Sequence, residues 1–525
     1  MSPLPPVRSG IADYSVDLLP ALAARADVRL IHLPGQPVAD DVAARWPLVP
    51  ADALGGTENR LPLYQMGNNE HHLGVWRLAM TRPGVLVLHD LVLHHFLVER
   101  TVARGGDLDS YREQMAADHG WIGAAVARPF RWPGAAGSLG HFALPAHRHL
   151  LAGQRGVLVH SAWAAEQLLE EMPSLRVRHL RMGVPLPEAA DEAAGRAFRA
   201  RRGLPLDRPL LGSFGFQTPI KRTPIAIEAL ARPELASAHL MIAGEVSPAL
   251  DLEAQAAELG VADRVHLLGY LPFDELQAAI AASDVCLNLR YPTAGETSAS
   301  LLRILAVGRP AVVSDHAQMA DLPSAGLIHV PLGDDEVEAL VERLTPLLAE
   351  PAELVALGIA ARRFIARHHR VDDAAEAVVA ACRAWSNQAP VGDEEPPSTR
   401  PATSFVGAPL DGAAALEVEG VERPWPPGAR RRIRVRLRNG GSIRWLAGER
   451  ADGGVALQLR LLADGEDHWA GRPWFGLPVD LPPGGEHAWE LDVRRPLAEQ
   501  VELELQAHVF GRRGGGRRPT WRETI

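Results

Sequence analysis

Of the 54 lysine and arginine residues in this chain, one is a lysine, Lys221. General replacement of lysine by arginine is what a compositional bias produces, with one survivor by chance. The alternative is that position 221 requires a compact ammonium where a planar guanidinium would not serve. Lys221 ends the stretch Gly212-Ser213-Phe214-Gly215-Phe216-Gln217-Thr218-Pro219-Ile220-Lys221-Arg222, which reads as a strand end and a turn. A second stretch is Arg290-Tyr291-Pro292-Thr293-Ala294-Gly295-Glu296-Thr297-Ser298-Ala299-Ser300, which leads into Leu301 to Val307 and stops at Gly308. Its hydroxyls are helix N-caps, and the free N–H groups and positive dipole end of such a helix form an anion site suited to a diphosphate. Lys221 and Arg222 beside that site would stabilise a departing diphosphate.

A third group follows two other apolar runs. His89-Asp90 closes Val85 to Leu88, and Gln65, Gly67, Asn68 and Asn69 close Leu61 to Gln65. Open α/β sheets hold ligands at the carboxyl ends of their strands, and neutral amides suit sugar hydroxyls. The plainer alternative is that His89 closes a local turn and the asparagines form a polar turn. For Arg8 and Asp13 ordinary loop and cap chemistry is an equal alternative. The adjacent pairs His71-His72 and His94-His95 point apart on a helix and have no acidic ligand at metal spacing, so no metal is expected.

The elements that must position these groups are legible as periodicity. From Leu18 to about Leu340, short β-rich runs alternate with helical patterns, as in parallel sheets built from βαβ units. The first series has strands expected at Val28 to Leu33, Leu61 to Gln65, Val85 to Leu88 and Val157 to His160. The second has Leu210 to Phe214, His239 to Ala243, Val265 to Leu268, Val285 to Leu289 and Ala311 to Ser314. Glu188 to Arg208 reads as a helix and inter-domain connection, and Val371 to Trp385 as a final helix. The expected fold is α/β, two facing doubly wound Rossmann-like domains over 1–195 and 196–388. A Pro-rich linker over 389–408 then leads to a domain over 409–525.

In that last segment the period changes to two. Ile433, Val435 and Leu437 alternate with Arg432, Arg434, Arg436 and Arg438, predicting an all-β sandwich of immunoglobulin-like size. Six of the twelve tryptophans lie here (Trp425, Trp445, Trp469, Trp474, Trp489 and Trp521). They either pack the sandwich core or stack on sugar rings. The run Arg512, Arg513, Arg517 and Arg518 reads as a basic loop.

Composition removes other classes of function. A formal net charge of −10 argues against a nucleic-acid partner, which would require a basic face. Cys286 and Cys382 lie in apolar stretches far apart, so no disulfide framework is expected and a reducing cytoplasm fits. No apolar run approaches the roughly 18 residues of a membrane span, and Met1-Ser2-Pro3-Leu4-Pro5-Pro6 shows neither the charged n-region nor the apolar h-region of a leader. Membrane contact is at most peripheral.

Residues 1 to about 385 resemble the retaining glycosyltransferases of family 4, which have the GT-B fold. The matching segments are Pro3 to Tyr14, the His89-Asp90 strand end, Lys221, Ala243-Gly244-Glu245 and Gly295 to Gly308. The resemblance implies transfer of a hexose-type sugar from a UDP- or GDP-sugar to a carbohydrate or lipid-linked acceptor, without metal or other cofactor. It implies a catalytic role for His89, Asp90 and Lys221. The donor would be held by Gly10, Gly215, Lys221, Arg222, Gly244, Gly295, Glu296, Thr297, Ser298 and Arg303, and the acceptor by Asp13, Asn68, Asn69 and His89. Three departures stand out. The family's two glutamates fall on Gly295 and Arg303, with Glu296 one residue out of register. The family's phosphate-binding arginine falls on Phe216, and Arg222 is the substitute at hand. A strand expected ahead of Ser2-Pro3 is absent, so the true start is expected upstream. The rival readings are a catalytically decayed glycan-binding scaffold and a nucleotide-sugar epimerase, the latter lacking the cleft carboxylates it would require.

Overall fold

The computed structural model of the chain describes residues 1–33, 35–56, 60–104, 106–127, 140–187, 192–320, 322–390, 392, 414–441, 443–447, 454–463, 466–469, 471, 474–509 and 520–525. Most of the linker and the run Arg512, Arg513, Arg517 and Arg518 lie outside the described residues. The chain divides into two compact units. One comprises Met1–Asp107, Pro145–Pro331 and Asp335–Glu394, and the other Leu108–Leu144, Leu332–Asp334 and Glu395–Ile525.

The first unit carries twelve described strands: β1 (Leu30–His32), β2 (Leu48–Pro50), β3 (Leu63–Met66), β4 (Val85–Leu88), β5 (Gly156–Val159), β6 (Val177–His179), β7 (Leu210–Phe214), β8 (His239–Ala243), β9 (Val265–Gly269), β10 (Val285–Asn288), β11 (Ala311–Ser314) and β12 (Leu327–Val330). All pair in parallel. They form a two-stranded sheet β1-β2, a four-stranded sheet β3-β4-β5-β6 and a six-stranded sheet β12-β11-β10-β7-β8-β9. Strands β4, β5, β7, β10 and β11 are buried at every position, as parallel strands covered on both faces must be.

The N-terminal segment lies along the edge of β3. The Met1 α-amino group donates to the Leu63 carbonyl oxygen at 2.6 Å, and the Met1 carbonyl accepts from Gln65 N–H at 3.0 Å. Leu4 is buried with Leu19, Leu30 and Val42. Residues 1–4 thus join the edge of β3 to the apolar cluster around β1.

Glu192–Arg201 forms the helix expected between the two sheets. The last helix of the unit, Val371–Trp385, spans the expected residues and returns to the four-stranded sheet β3-β4-β5-β6. Trp385 packs on Gly156 of β5 so closely that a Cβ there would lie 2.3 Å from the ring. Arg25, just past the end of the first helix, Gly10–Ala23, meets Asp372 at 3.0 Å.

In the second unit, β13 (Ala414–Glu419), β14 (Arg430–Asn439), β15 (Val455–Ala463), β16 (Glu466–Asp467), β17 (Trp474–Gly476), β18 (Glu486–Arg494), β19 (Glu502–Val509) and β20 (Thr520–Thr524) are antiparallel. Their sheets run β13-β14-β18 and β16-β15-β19-β20, with β17 on β15. On β14, Ile433, Val435 and Leu437 face inward. Arg432, Arg434 and Arg436 pair across the strands with Asp492, Glu490 and Glu417 at 3.2, 2.8 and 3.3 Å. Trp425 and Trp445 are core residues, and Trp469, Trp489 and Trp521 pack against the core, so packing is the role the structure gives these five. Among the described residues no single helix is long and apolar enough to cross a membrane.

Candidate functional site

The loop after β7 turns at Gly215, where φ is +86°, and brings the Lys221 ammonium back to donate to the carbonyl oxygen of Phe214. A Cβ on Gly215 would lie 2.9 Å from Nζ. Gln217 braces the turn: its amide donates to the Gly215 carbonyl at 2.6 Å, and its Oε1 accepts from Thr223 Oγ1 at 2.6 Å. Gly244 at the end of β8 is equally constrained, since a Cβ there would lie 2.1 Å from the Gly215 carbonyl oxygen. Burial and then the neighbouring Arg290 lower the Lys221 pKa to about 7, with Glu296 acting in the opposite sense. Lys221 is therefore a cation whose charge a bound anion would strengthen.

Arg222 goes elsewhere. Its guanidinium forms a two-point ion pair with buried Glu336, Nε to Oε1 at 3.3 Å and Nη2 to Oε2. That pair joins the start of helix Thr223–Leu230 to the start of helix Glu336–Ala349. The arginine that acts on Lys221 is Arg290, not the Arg222 expected from adjacency in sequence.

The helix after β10, Ala299–Val307, has Ser298 as N-cap, its Oγ accepting from Leu301 N–H at 3.2 Å, and ends at Gly308 with φ +90°. Thr297 is half-buried just ahead of the cap. Glu296 is enclosed by its own loop: Oε1 accepts from Arg290 at 2.7 Å, and Oε2 accepts from Thr293 Oγ1 and Ala294 N–H, both at 3.0 Å. The Ala294 carbonyl accepts from Val92 N–H at 2.9 Å, a backbone hydrogen bond that joins this loop to the one after β4.

On the β4 side, His89 is buried and its Nε2 donates to Gln65 Oε1 at 2.7 Å, which leaves Nδ1 as the acceptor. The rings of Tyr14 and His160 lie 5.3 and 4.8 Å from it. Burial, followed by His160 and His72, holds the His89 pKa well below the usual histidine range. Asp90 Oδ2 accepts from Asn68 N–H at 2.8 Å. Burial, and then Glu296 on the other domain, lift its pKa to about 7. Gly67 is hemmed by Ile11, His72 and Asp90.

The asparagines act locally. Asn68 Oδ1 accepts from Phe96 N–H at 2.9 Å, and Asn69 Oδ1 accepts from His71 N–H and His72 Nδ1 at 3.1 and 3.0 Å. Their amide oxygens cap two turns, the polar-turn chemistry weighed for them in the sequence.

Gly10 opens the first helix, capped by Ser9, and nothing lies within 4 Å of where its Cβ would be. Farther along that helix Asp13 and Asp17 both face Arg303, at 3.7 and 3.1 Å. Arg303 also lies 4.9 Å over the Phe273 ring. Arg8 reaches Glu245 at 3.4 Å and the Tyr270 ring at 4.4 Å. Position 303 thus ties the first helix to the second domain.

The structure brings Lys221, Arg290, Glu296 and Asp90 into one electrostatic group, with His89 beside Asp90. It sets Arg222, Arg303, Asn68 and Asn69 in partnerships of their own. Sequence reasoning missed the roles of Arg290, Asp17, Tyr14 and His160. For His160 the signal was present, since it ends β5 as His89 ends β4. Among the described residues no three histidine, cysteine or acidic side chains cluster as metal ligands.

Residues 208–350 match the family model described as Glycosyl transferases group 1. The chain is 30% identical over 200 residues to the GDP-mannose-dependent alpha-(1-6)-phosphatidylinositol monomannoside mannosyltransferase of Mycolicibacterium smegmatis, covering 37% of this chain and 52% of that protein. It is 28% identical over 197 residues to the 2-deoxystreptamine glucosyltransferase of Streptomyces kanamyceticus, covering 36% and 50%. The chain spans about half the length of the curated relatives it matches. Sucrose-phosphate synthase from Thermosynechococcus elongatus superposes with a TM-score of 0.52 at 18% identity, over 72% of this chain and 94% of that one. This likeness carries the fold, the GT-B architecture of two Rossmann-like domains.

Proposed function

We propose that this chain is a retaining glycosyltransferase of family 4 that moves a hexose-type sugar from a UDP- or GDP-sugar to a hydroxyl of a carbohydrate or lipid-linked acceptor. It works in the cytoplasm and uses neither a metal nor another cofactor. The observation that carries this reading is the placement of Lys221. The sole lysine of the chain is held at the end of β7 in the electrostatic group of the loop that opens helix Ala299–Val307. The match of residues 208–350 to a glycosyltransferase family supports it.

In this reading Lys221, Arg290 and the N–H groups ahead of Leu301 stabilise the diphosphate as its bond to the anomeric carbon breaks. Gly10, Gly215 and Gly244 let backbone approach the donor, and Gly295, Glu296, Thr297 and Ser298 shape the loop around it. His89 and Asp90 orient the acceptor hydroxyl from the facing domain, with Asp13 at the rim. The acceptor oxygen bonds to the anomeric carbon on the face the diphosphate leaves, and its proton passes to a departing phosphate oxygen.

A decayed scaffold is the second reading, favoured by one observation: Glu296 and Arg303 already have partners inside the chain. Melting curves of the full chain and of Lys221→Ala against UDP, GDP, ADP and their sugars decide between them. A ligand at 100 times its dissociation constant should stabilise by about 2.7 kcal/mol. A shift with one nucleotide that the variant loses supports the transferase and names its base. No shift with any nucleotide would sink it. With a donor in hand, NMR of the product anomer tests retention.

A further inference from the structure

Gln318 lies in the turn Ala317–Met319 after β11, only 3% exposed and outside every sequence motif singled out above. Its amide nitrogen donates twice, to Thr293 Oγ1 and to the Glu296 carbonyl oxygen, both at 2.8 Å. Thr293 hands its own proton to Glu296 Oε2 and accepts from Gly295 N–H, both at 3.0 Å. One amide group therefore grips the loop Thr293–Glu296 at its first side chain and its last carbonyl. Through Thr293 it also reaches the carboxylate that Arg290 holds from the other side.

The arrangement is not one that stability alone would select. Gln318 Oε1 is buried with no partner among the described residues, an unpaired acceptor that an apolar side chain of the same size would not leave. The turn is entered through Ala317 at φ +48°, a conformation that costs any residue with a Cβ. Both costs are borne where the amide can donate two hydrogen bonds to a loop that touches Val92 of the facing domain and leads to the Ser298 cap.

We propose that Gln318 is a positioning residue for sugar transfer. Its two N–H bonds fix the loop Thr293–Glu296 so that the Glu296 carboxylate stays on Arg290 and Ala294 stays docked on Val92 while the donor reacts. The inference rests on the glycosyltransferase reading. Ground-state binding of the diphosphate belongs to Lys221 and the helix N-terminus, while Arg290, held by Glu296, acts on the charge that develops as the bond breaks, so loss of Gln318 touches turnover and leaves nucleotide affinity in place.

The test uses the full chain, with UDP-glucose and GDP-mannose as donors. It measures the rate of nucleoside diphosphate release and the affinity for UDP and GDP by calorimetry. Gln318→Glu keeps the shape but, when ionised, has no proton to donate. It should release diphosphate about tenfold or more slowly than wild type at about pH 8. A buried carboxyl protonates readily, so the deficit should shrink to within about threefold at about pH 5.5, where one donor returns. Thr293→Val, which removes the bridging hydroxyl, should show the same loss without recovery at acid pH. Nucleotide affinity should stay within about twofold in both variants. Turnover equal to wild type at about pH 8 would overturn the proposal, as would parallel loss of turnover and nucleotide affinity at both pH values, the mark of a merely structural residue. If wild type itself neither binds nor releases any nucleotide, the glycosyltransferase reading fails and takes this inference with it.

Discussion

Gly295 and Leu91 stand so close that a Cβ on the glycine would lie 2.6 Å from the leucine Cβ, with the Trp163 ring 3.1 Å away on the same side. Gly295 also has φ +76°, which an L side chain adopts only under strain. The junction of the two Rossmann-like domains therefore depends on this glycine twice over, through space and through backbone.

Gly295→Ala should accordingly destabilise the first unit by about 1–3 kcal/mol, the cost of overpacking or backbone strain. Scanning calorimetry would register it, and an unchanged Tm would contradict the contact.

Asp90 and the buried histidines should give stability opposite slopes with pH. The Asp90 carboxyl has its pKa raised from 3.8 to about 7 by burial and Glu296, so the folded state holds that proton more tightly than the unfolded chain. Its contribution is full below pH 3.8 and is lost as pH rises through about 7. Asp90→Asn should thus gain Tm relative to wild type on going from about pH 5 to about pH 8.

His72, His160 and His369 behave in the other sense, with pKa values lowered by burial to about 3, 4 and 4. The unfolded chain takes up protons that the folded one refuses, so stability should fall as pH drops below the ordinary histidine value of 6.5. Replacing His160 with a neutral isostere, His160→Gln, should flatten the Tm profile between about pH 6.5 and 4. An unaltered slope would show that the imidazole is charged in the native state.

Lys221 makes nucleotide binding proton-linked. With its pKa near 7, the free site is partly deprotonated at neutral pH, and a bound diphosphate restores the proton. Affinity should fall as pH rises from about 7 to about 9, by up to about tenfold per unit. Lys221→Ala should bind about 10–100-fold more weakly and lose that dependence. Calorimetry in buffers of different ionisation enthalpy would count the proton directly.

Arg303 should be coupled to Asp17. A double-mutant cycle of Arg303→Ala and Asp17→Ala, read by denaturant unfolding, should return an interaction of about 1 kcal/mol, because the pair is only partly buried. Strict additivity would mean that the 3.1 Å contact contributes nothing.

Much of the fold was legible because parallel strands leave continuous apolar runs. Val85–Leu88, Leu210–Phe214, His239–Ala243 and Ala311–Ser314 coincide with the expected spans. Strand β6, Val177-Arg178-His179, was not legible, since it is three residues long and mostly exposed. In the site, Lys221 and the Ser298 cap could be read because their chemistry is local. The partnerships of Arg303 with Asp17 and Arg222 with Glu336 join positions 286 and 114 apart, and only the packed chain decides them. Arg222 looked like a partner for Lys221 by adjacency, yet with a left-handed backbone, φ +57°, it stands at the start of helix Thr223–Leu230 and its guanidinium goes to Glu336.

The return of helix Val371–Trp385 to β5 has a consequence in time. The four-stranded sheet is complete once the chain is synthesised as far as His179, but the tryptophan that covers Gly156 emerges about 200 residues later. At about 5–20 residues per second the ribosome takes roughly 10–40 seconds to deliver it. Throughout that interval the growing chain carries an uncovered apolar face on its first domain. Chaperone demand should therefore peak during synthesis of the second domain, well before the chain is released.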